Sequence, residues 1–178
     1  MTHFELQEVL ETFQIVVDNR EHKTPKAVER YKSFGVPFKF GTLSYCDYCA
    51  DALLPSGDHI IDTSVTIKPV CAVERKMSLD ELAGCLGTGR ERFEREFRRG
   101  TDAGARMFLL IENATWEAIY AHRYRSRMNE KAFLASLTAW TVRYNIVPVF
   151  CKSATSGKLI KELLYRDLKE RLERGEYG

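Results

Sequence analysis

The sequence predicts an α/β fold with a mixed central β-sheet flanked by helices, and three observations predict it. In the second half, short apolar runs alternate with segments of helical spacing, the pattern of strands joined by helical crossovers. In the first half, aromatic and β-branched runs follow one another across turns, the pattern of a meander. The run Met107 to Ile111 is apolar throughout and too short for a helix, as in a strand covered on both faces. Composition agrees: 178 residues that are 44% hydrophobic, 29% charged and 11% aromatic describe a folded globular chain. Such a length buries roughly 70% of its unfolded surface and needs no disulfide or metal to fold. Disorder, collagen-like and repeat architectures are excluded. No linker or repeat interrupts residues 1–178, which read as one domain.

Gln14 to Val17 is a β-branched run ending at Asp18. Thr24-Pro25 then supplies a cap and an N1 proline for a helix carrying Ala27, Val28 and Tyr31, which Gly35 ends. Strand-forming residues return from Val36 to Tyr48. After the Pro55 to Asp58 turn they resume at Ile60 to Ile67 and Val70 to Val73, giving three or four meander strands. Ser78 and Glu81 have capping-box spacing at the start of a helix, and a charged helix follows from about Thr88 to Arg99. Thr115 to Tyr120 is helical and His122 to Arg127 a basic loop. Phe133, Leu137, Trp140 and Tyr144 form a helical stripe. Ile146 to Cys151 is a strand, and Ser153 opens a last helix whose apolar face is Ile160, Leu163, Leu164, Leu168 and Leu172.

A membrane-spanning helix needs about 20 mainly apolar residues, far more than Met107 to Ile111 or Ile146 to Cys151 offers. The opening segment carries Glu5, Glu8 and Glu11 in place of a basic-then-apolar signal, so a cytoplasmic protein is expected. A formal net charge of +2 is too balanced to mark a nucleic-acid binder by bulk charge. The odd count of 5 cysteines in such a chain points to reduced thiols. Cys46-x-x-Cys49 with His59 and Cys71 lacks the second short ligand motif of a structural zinc site.

The chemistry lies at Val73-Glu74-Arg75-Lys76. Side chains alternate along a strand, so Glu74 and Lys76 share one face while Arg75 points to the other. An acid beside an amine at a sheet edge suits phosphodiester hydrolysis. Two carboxylates and a carbonyl suffice for Mg²⁺, and a lysine can orient or deprotonate water or neutralise phosphorane charge. Alone, Glu-x-Lys is a weak signal, since such pairs are usually solvated surface ion pairs. Here it follows Val17-Asp18-Asn19-Arg20-Glu21 and Leu43-Ser44-Tyr45-Cys46-Asp47-Tyr48, and it precedes Asp80.

In this order the blocks resemble V-x-D-x-R-E, L-x-x-G-D-Y and V-E-R-K-x-x-x-D of the XPF family of structure-specific DNA endonucleases. The likeness is greatest to its short single-domain members in phages and prophages. It spans nearly the whole chain, including Arg90 to Phe97, Leu110 to Trp116 and Cys151 to Leu172. The resemblance implies a restriction-endonuclease-like core and a cytoplasmic setting in a bacterial or phage-infected cell. It makes Asp47 and Glu74 ligands of Mg²⁺ or Mn²⁺, the Arg75 carbonyl a third candidate, and Lys76 the catalytic lysine. Asp18, Arg20, Glu21 and Asp80 match further active-site positions. Cys46 stands where the family has glycine. Leu54-Pro55-Ser56-Gly57-Asp58 offers an alternative aspartate; Asp47 is favoured because Pro-Ser-Gly-Asp has the composition of a turn.

Arg123, Arg125 and Arg127 have no acidic neighbour before Glu130 and are the better phosphate-binding candidates, with Arg90 the best placed of the helical arginines. The other helical charges, including Glu91 with Arg95 and Glu94 with Arg98, suit a salt-bridged surface. Asp62, Asp102 and Glu112 have no constellation to join. The expected activity is metal-dependent hydrolysis of DNA at flaps, forks or junctions, in repair, recombination or phage replication. Substrate choice would come from self-association as a homodimer, from a partner or from the basic loop. An inactive DNA-binding scaffold and a sequence-specific duplex nuclease are the competing readings.

Overall fold

A computed structural model describes residues 1–62 and 66–177. Its elements in chain order are α1 (His3–Glu11), β1 (Gln14–Asp18), α2 (Pro25–Ser33), β2 (Phe38–Gly41), β3 (Tyr48–Asp51), β4 (Cys71–Lys76), α3 (Leu79–Leu86), α4 (Arg90–Asp102), β5 (Arg106–Glu112), α5 (Trp116–Tyr120), α6 (Glu130–Tyr144), β6 (Ile146–Cys151), a 3-10 turn (Ser153–Thr155) and α7 (Ser156–Glu173). The strands form one 6-stranded sheet in the order β2-β1-β3-β4-β5-β6. β4, β5 and β6 run parallel, linked by α3 with α4 and then by α5 with α6, while β3 is antiparallel to both β1 and β4. Among the described residues, no helix is long and apolar enough to cross a membrane.

Local chemistry sets most boundaries as the sequence predicts. Thr24, Ser78, Thr115 and Asn129 each accept a backbone N–H at the start of their helices. Two expectations need correction. The meander is interrupted, because β1 lies between β2 and β3, pairing in parallel with the first and antiparallel with the second. The strand expected over Ile60 to Ile67 crosses residues 63–65, which lie outside the described residues. On either side, Ile61 and Ile67 pack with Val16, Leu43 and Cys49 in a small core, and Ile67 only bridges Leu43. Helix α1 was not anticipated, although Thr2 and Glu5 form a capping box and Leu6, Val9 and Leu10 have helical spacing. The acids of this segment suit the polar face of an amphipathic helix.

The two faces of the sheet carry separate cores. On one, α1, α2 and α7 pack over Ile15, Val17, Tyr48, Val73 and Leu110. On the other, α3, α4 and α6 pack over Ala72, Leu109 and Ile111, where Phe93, Phe97, Phe133 and Trp140 form an aromatic centre. Gly157 of α7 sits against α2, where a Cβ would overlap the Arg30 carbonyl oxygen and the Ser33 hydroxyl. Gly157→Ala is therefore expected to lower the urea unfolding free energy by about 1–3 kcal/mol. An unchanged midpoint would show that the two helices are not packed this tightly.

Candidate active site

The pleat of β4 does what the sequence predicts. Glu74 and Lys76 enter the face covered by α3 and α4, and Arg75 enters the face covered by α2 and α7. Asp47 immediately precedes β3 and is held on both sides. Its N–H donates to the Val73 carbonyl at 3.0 Å, its carbonyl accepts from Asp18 N–H at 2.8 Å, and its Oδ2 accepts from Arg75 N–H at 2.8 Å. Asp58 lies in the exposed turn beyond the far end of β3, bonded to the Ser56 hydroxyl at 2.8 Å. Of the two alternative aspartates, Asp47 is the one beside Glu74.

Lys76 Nζ donates to Glu74 Oε1, lies 4.0 Å from Glu81 Oε1 and sits 4.7 Å from the centre of the Phe93 ring. Glu74 is only 3% exposed, and its Oε2 has no hydrogen-bond partner. Burial is the main cause that pushes the Glu74 carboxyl up, to about 7; Lys76 opposes it, and Glu96 and Glu21 add to it. Asp47 is driven well above the usual carboxylate range by burial and then by Glu74. Burial would lower Lys76, but Glu74 and Asp47 outweigh it and hold the ammonium above its ordinary value.

Two buried carboxylates that repel one another, one with an oxygen left over, suit a hard cation. Among the described residues, no group of three or more His, Cys, Asp or Glu is arranged to hold a metal. Asp47 and Glu74 by themselves do not build an all-protein cage, and a cation held by two carboxylates would be one, such as Mg²⁺, that keeps most of its waters. Cys46, Cys49 and Cys71 are buried free thiols, and His59 pairs with Asp51 at 2.7 Å.

The remaining predicted residues divide. Glu21 accepts from the Tyr48 hydroxyl at 2.9 Å and raises both Asp47 and Glu74, so it belongs to the acidic cluster. Asp18 does not. Its oxygens accept from Arg20 N–H and Nε at 2.7 Å, from Arg20 Nη2 at 3.0 Å and from Leu43 N–H at 2.8 Å, which ties β1 to the following loop. Arg20 is the other half of that tie and also donates to the Leu43 carbonyl. Arg75 is turned away from the cluster and makes a two-pronged ion pair with Glu112 at 3.0 and 3.1 Å. Arg30, also buried, approaches Glu112 at 3.7 Å. Glu112 thus does join a constellation, contrary to the sequence reading, because the parallel pairing of β4 with β5 brings it beside Arg75.

Asp80 is likewise not brought to Glu74. Its Oδ1 accepts from Arg125 N–H at 2.7 Å and Ser126 N–H at 2.9 Å, so it anchors the basic loop. That loop is further braced by Tyr124 donating to the Met128 carbonyl and stacking on His122. Arg123, Arg125 and Arg127 stand exposed on it. Arg90, by contrast, is committed to its own face, paired with Glu94 at 3.0 Å and lying over Trp140. Sequence reasoning missed Glu96, whose Oε1 accepts from Cys46 N–H at 2.9 Å. No local pattern distinguishes it from the other charges of α4.

Residues 17–163 match the ERCC4 domain. No match was found among curated proteins. Among solved structures, XPF from Aeropyrum pernix superposes with a TM-score of 0.60 at 20% identity, covering 92% of this chain and 69% of that one. The same protein in complex with DNA gives a TM-score of 0.60 at 23% identity, covering 89% and 66%. These likenesses show the fold, a mixed α/β sheet of the restriction-endonuclease-like kind.

Within this fold the Arg30–Glu112–Arg75 cluster is structural, and its worth can be measured. Burial would raise Glu112, but the Arg75 hydrogen bonds prevail and hold its carboxyl below the ordinary 4.5. Its contribution is therefore complete above about pH 4.5 and is lost as pH falls through the lowered value. Glu112→Ala should cost about 3–5 kcal/mol in urea unfolding at pH 7, because it strands the buried Arg30 and half-buried Arg75 guanidinium groups. The gap to wild type should narrow below pH 4.5; a pH-independent gap would contradict the ion-pair account.

Proposed function

The chain belongs to the ERCC4 domain family, and from that premise we propose that it is a DNA endonuclease that uses Mg²⁺ or Mn²⁺ to hydrolyse phosphodiester bonds at branched DNA. The observation that carries the reading is the buried Glu74 carboxylate, whose unpartnered Oε2 lies near the C-terminal end of β4 with Asp47 and Lys76. The XPF solved in complex with DNA supports DNA as the substrate. Branch preference and action as a homodimer rest on the family resemblance alone.

Asp47 and Glu74 would hold the cation, with the Arg75 carbonyl as a further ligand. When bound, it supplies a Lewis acid at the scissile phosphate and makes a coordinated water more acidic. The chain's own residues do the rest. Lys76, held above its ordinary value, is an ammonium at neutral pH, so it orients the attacking water and neutralises the phosphorane oxygens and does not itself take the proton. Glu74 fixes the ammonium in place through its Oε1. Glu81, 4.0 Å from Lys76, lies in the first turn of α3, whose Asp80 anchors the basic loop, so Arg123, Arg125 and Arg127 would flank the same site and grip phosphates.

The test is cleavage of end-labelled flap, splayed-arm, four-way-junction, linear and single-stranded DNA with and without Mg²⁺ or Mn²⁺. Metal-dependent cutting near the branch is expected, reduced about 10²–10³-fold by Glu74→Ala or Asp47→Ala and within about twofold of wild type for Asp58→Ala. A folded protein that binds branched DNA but cuts nothing would instead be a binding module. Cutting confined to one sequence of linear duplex would make it a restriction-type enzyme. Replacing Arg123, Arg125 and Arg127 together with alanine should lower the slope of log affinity against log salt by about 2–3. An unchanged slope would move the DNA path elsewhere.

A further inference from the structure

Asp47 owes its place to a short loop that is bent against its own preference. Cys46, the residue before it, has φ +60° and is only 1% exposed. A side chain with a Cβ disfavours that left-handed conformation, which glycine adopts freely. Because β1 and β4 pin the backbone of Asp47 from either side, the turn at Cys46 must be held for the carboxylate to reach the cluster.

Helix α4 holds it. Glu96 Oε1 accepts from Cys46 N–H at 2.9 Å, and Arg99 Nε donates to the Ser44 carbonyl at 2.8 Å. Glu96 and Arg99 are three residues apart and so share a helix face, while other charges of the helix pair elsewhere, Arg90 with Glu94 and Arg95 with Glu91. Between the two grips the Tyr45 ring lies over Gly100, where a Cβ would come within 3.3 Å of it, and the Tyr45 hydroxyl donates to the Pro69 carbonyl. The loop is thus clasped at residues 44, 45 and 46.

We propose that Glu96 and Arg99 form a clamp that holds Cys46 in its left-handed turn and thereby delivers Asp47 to the divalent cation, making Glu96 a positioning residue for metal binding. The inference rests on the metal-dependent reading above and adds to it a residue that touches neither metal nor DNA. Glu96 also lies close enough to Glu74 to raise its carboxyl, so a second role, attracting the cation by charge, must be separated from positioning.

Mn²⁺ binding to the full chain, followed by electron paramagnetic resonance of the free ion, separates them without reference to cleavage. Glu96→Ala should weaken Mn²⁺ affinity about 10-fold or more, as loss of a supporting partner does at metal sites. Glu96→Gln, which keeps an oxygen acceptor but loses the charge, should stay within about threefold of wild type on that account. The decisive variant is Cys46→Gly. Since glycine needs no clamp at this φ, adding Glu96→Ala to it should change affinity by no more than about threefold, a non-additivity that marks coupled sites. Saturating Mn²⁺ should restore cleavage by Glu96→Ala. The clamp is overturned if Glu96→Ala binds as wild type, if Glu96→Gln is as weak as Glu96→Ala, or if glycine fails to rescue. Should Glu96→Ala not fold, Arg99→Ala reads the same clamp, with the same weakening and rescue expected and their absence overturning it. Failure of the wild type to bind Mn²⁺ more tightly than Glu74→Ala would instead sink the metal reading itself.

Discussion

One strand carries three consecutive charges into the interior, and the rest of the site is organised around paying that electrostatic cost. Glu74, Arg75 and Lys76 come at the end of β4, where the pleat sends the first and third to one face and the second to the other. Each face must supply its own compensation, because a buried charge without a partner is costly. Toward α2 and α7 the answer is complete: Glu112 takes both prongs of Arg75 and has Arg30 alongside. Toward α3 and α4 it is incomplete. Lys76 satisfies one oxygen of Glu74, the other stays unpartnered, and Asp47 adds a second buried acid. The closed face behaves as structure, and the open face is where an added cation would complete the balance.

This asymmetry explains why so many charged residues near the site are anchors. Asp18 and Arg20 tie β1 to the chain beyond β2, Asp80 ties the start of α3 to the arginine loop, and Glu96 ties α4 to the loop that bears Asp47. Carboxylates accepting backbone N–H groups lose mobility along with the segments they hold. A site of the proposed kind would need both its ligands and its surrounding cations fixed in advance, since rigid placement is what makes electrostatic stabilisation effective. The acids that mark the family pattern thus divide into those that cluster together, Asp47, Glu74 and Glu21, and those that hold the frame.

The comparison between sequence and structure turns on range. Helix starts at Thr24 and Ser78, the buried stripe from Phe133 to Tyr144 and the strands Met107 to Ile111 and Ile146 to Cys151 were legible because caps and periodicity act over a few residues. So was the opposed orientation of Glu74 and Lys76 against Arg75, which needs only the pleat. The parallel return of β2 beside β1 was not, because hydrophobic alternation says where a strand lies but not which neighbour it takes.

By itself, then, the sequence determined the α/β class, most element boundaries, the face of each β4 charge and the order of motif blocks that the ERCC4 domain match spans. Tertiary structure alone decided which charges meet. Glu112 reaches Arg75 across 37 positions, Asp80 reaches Arg125 across 45 and Glu96 reaches Cys46 across 50. Carboxylates are alike in a sequence and differ only in what folding sets opposite them, so their roles are written in the packing of distant elements.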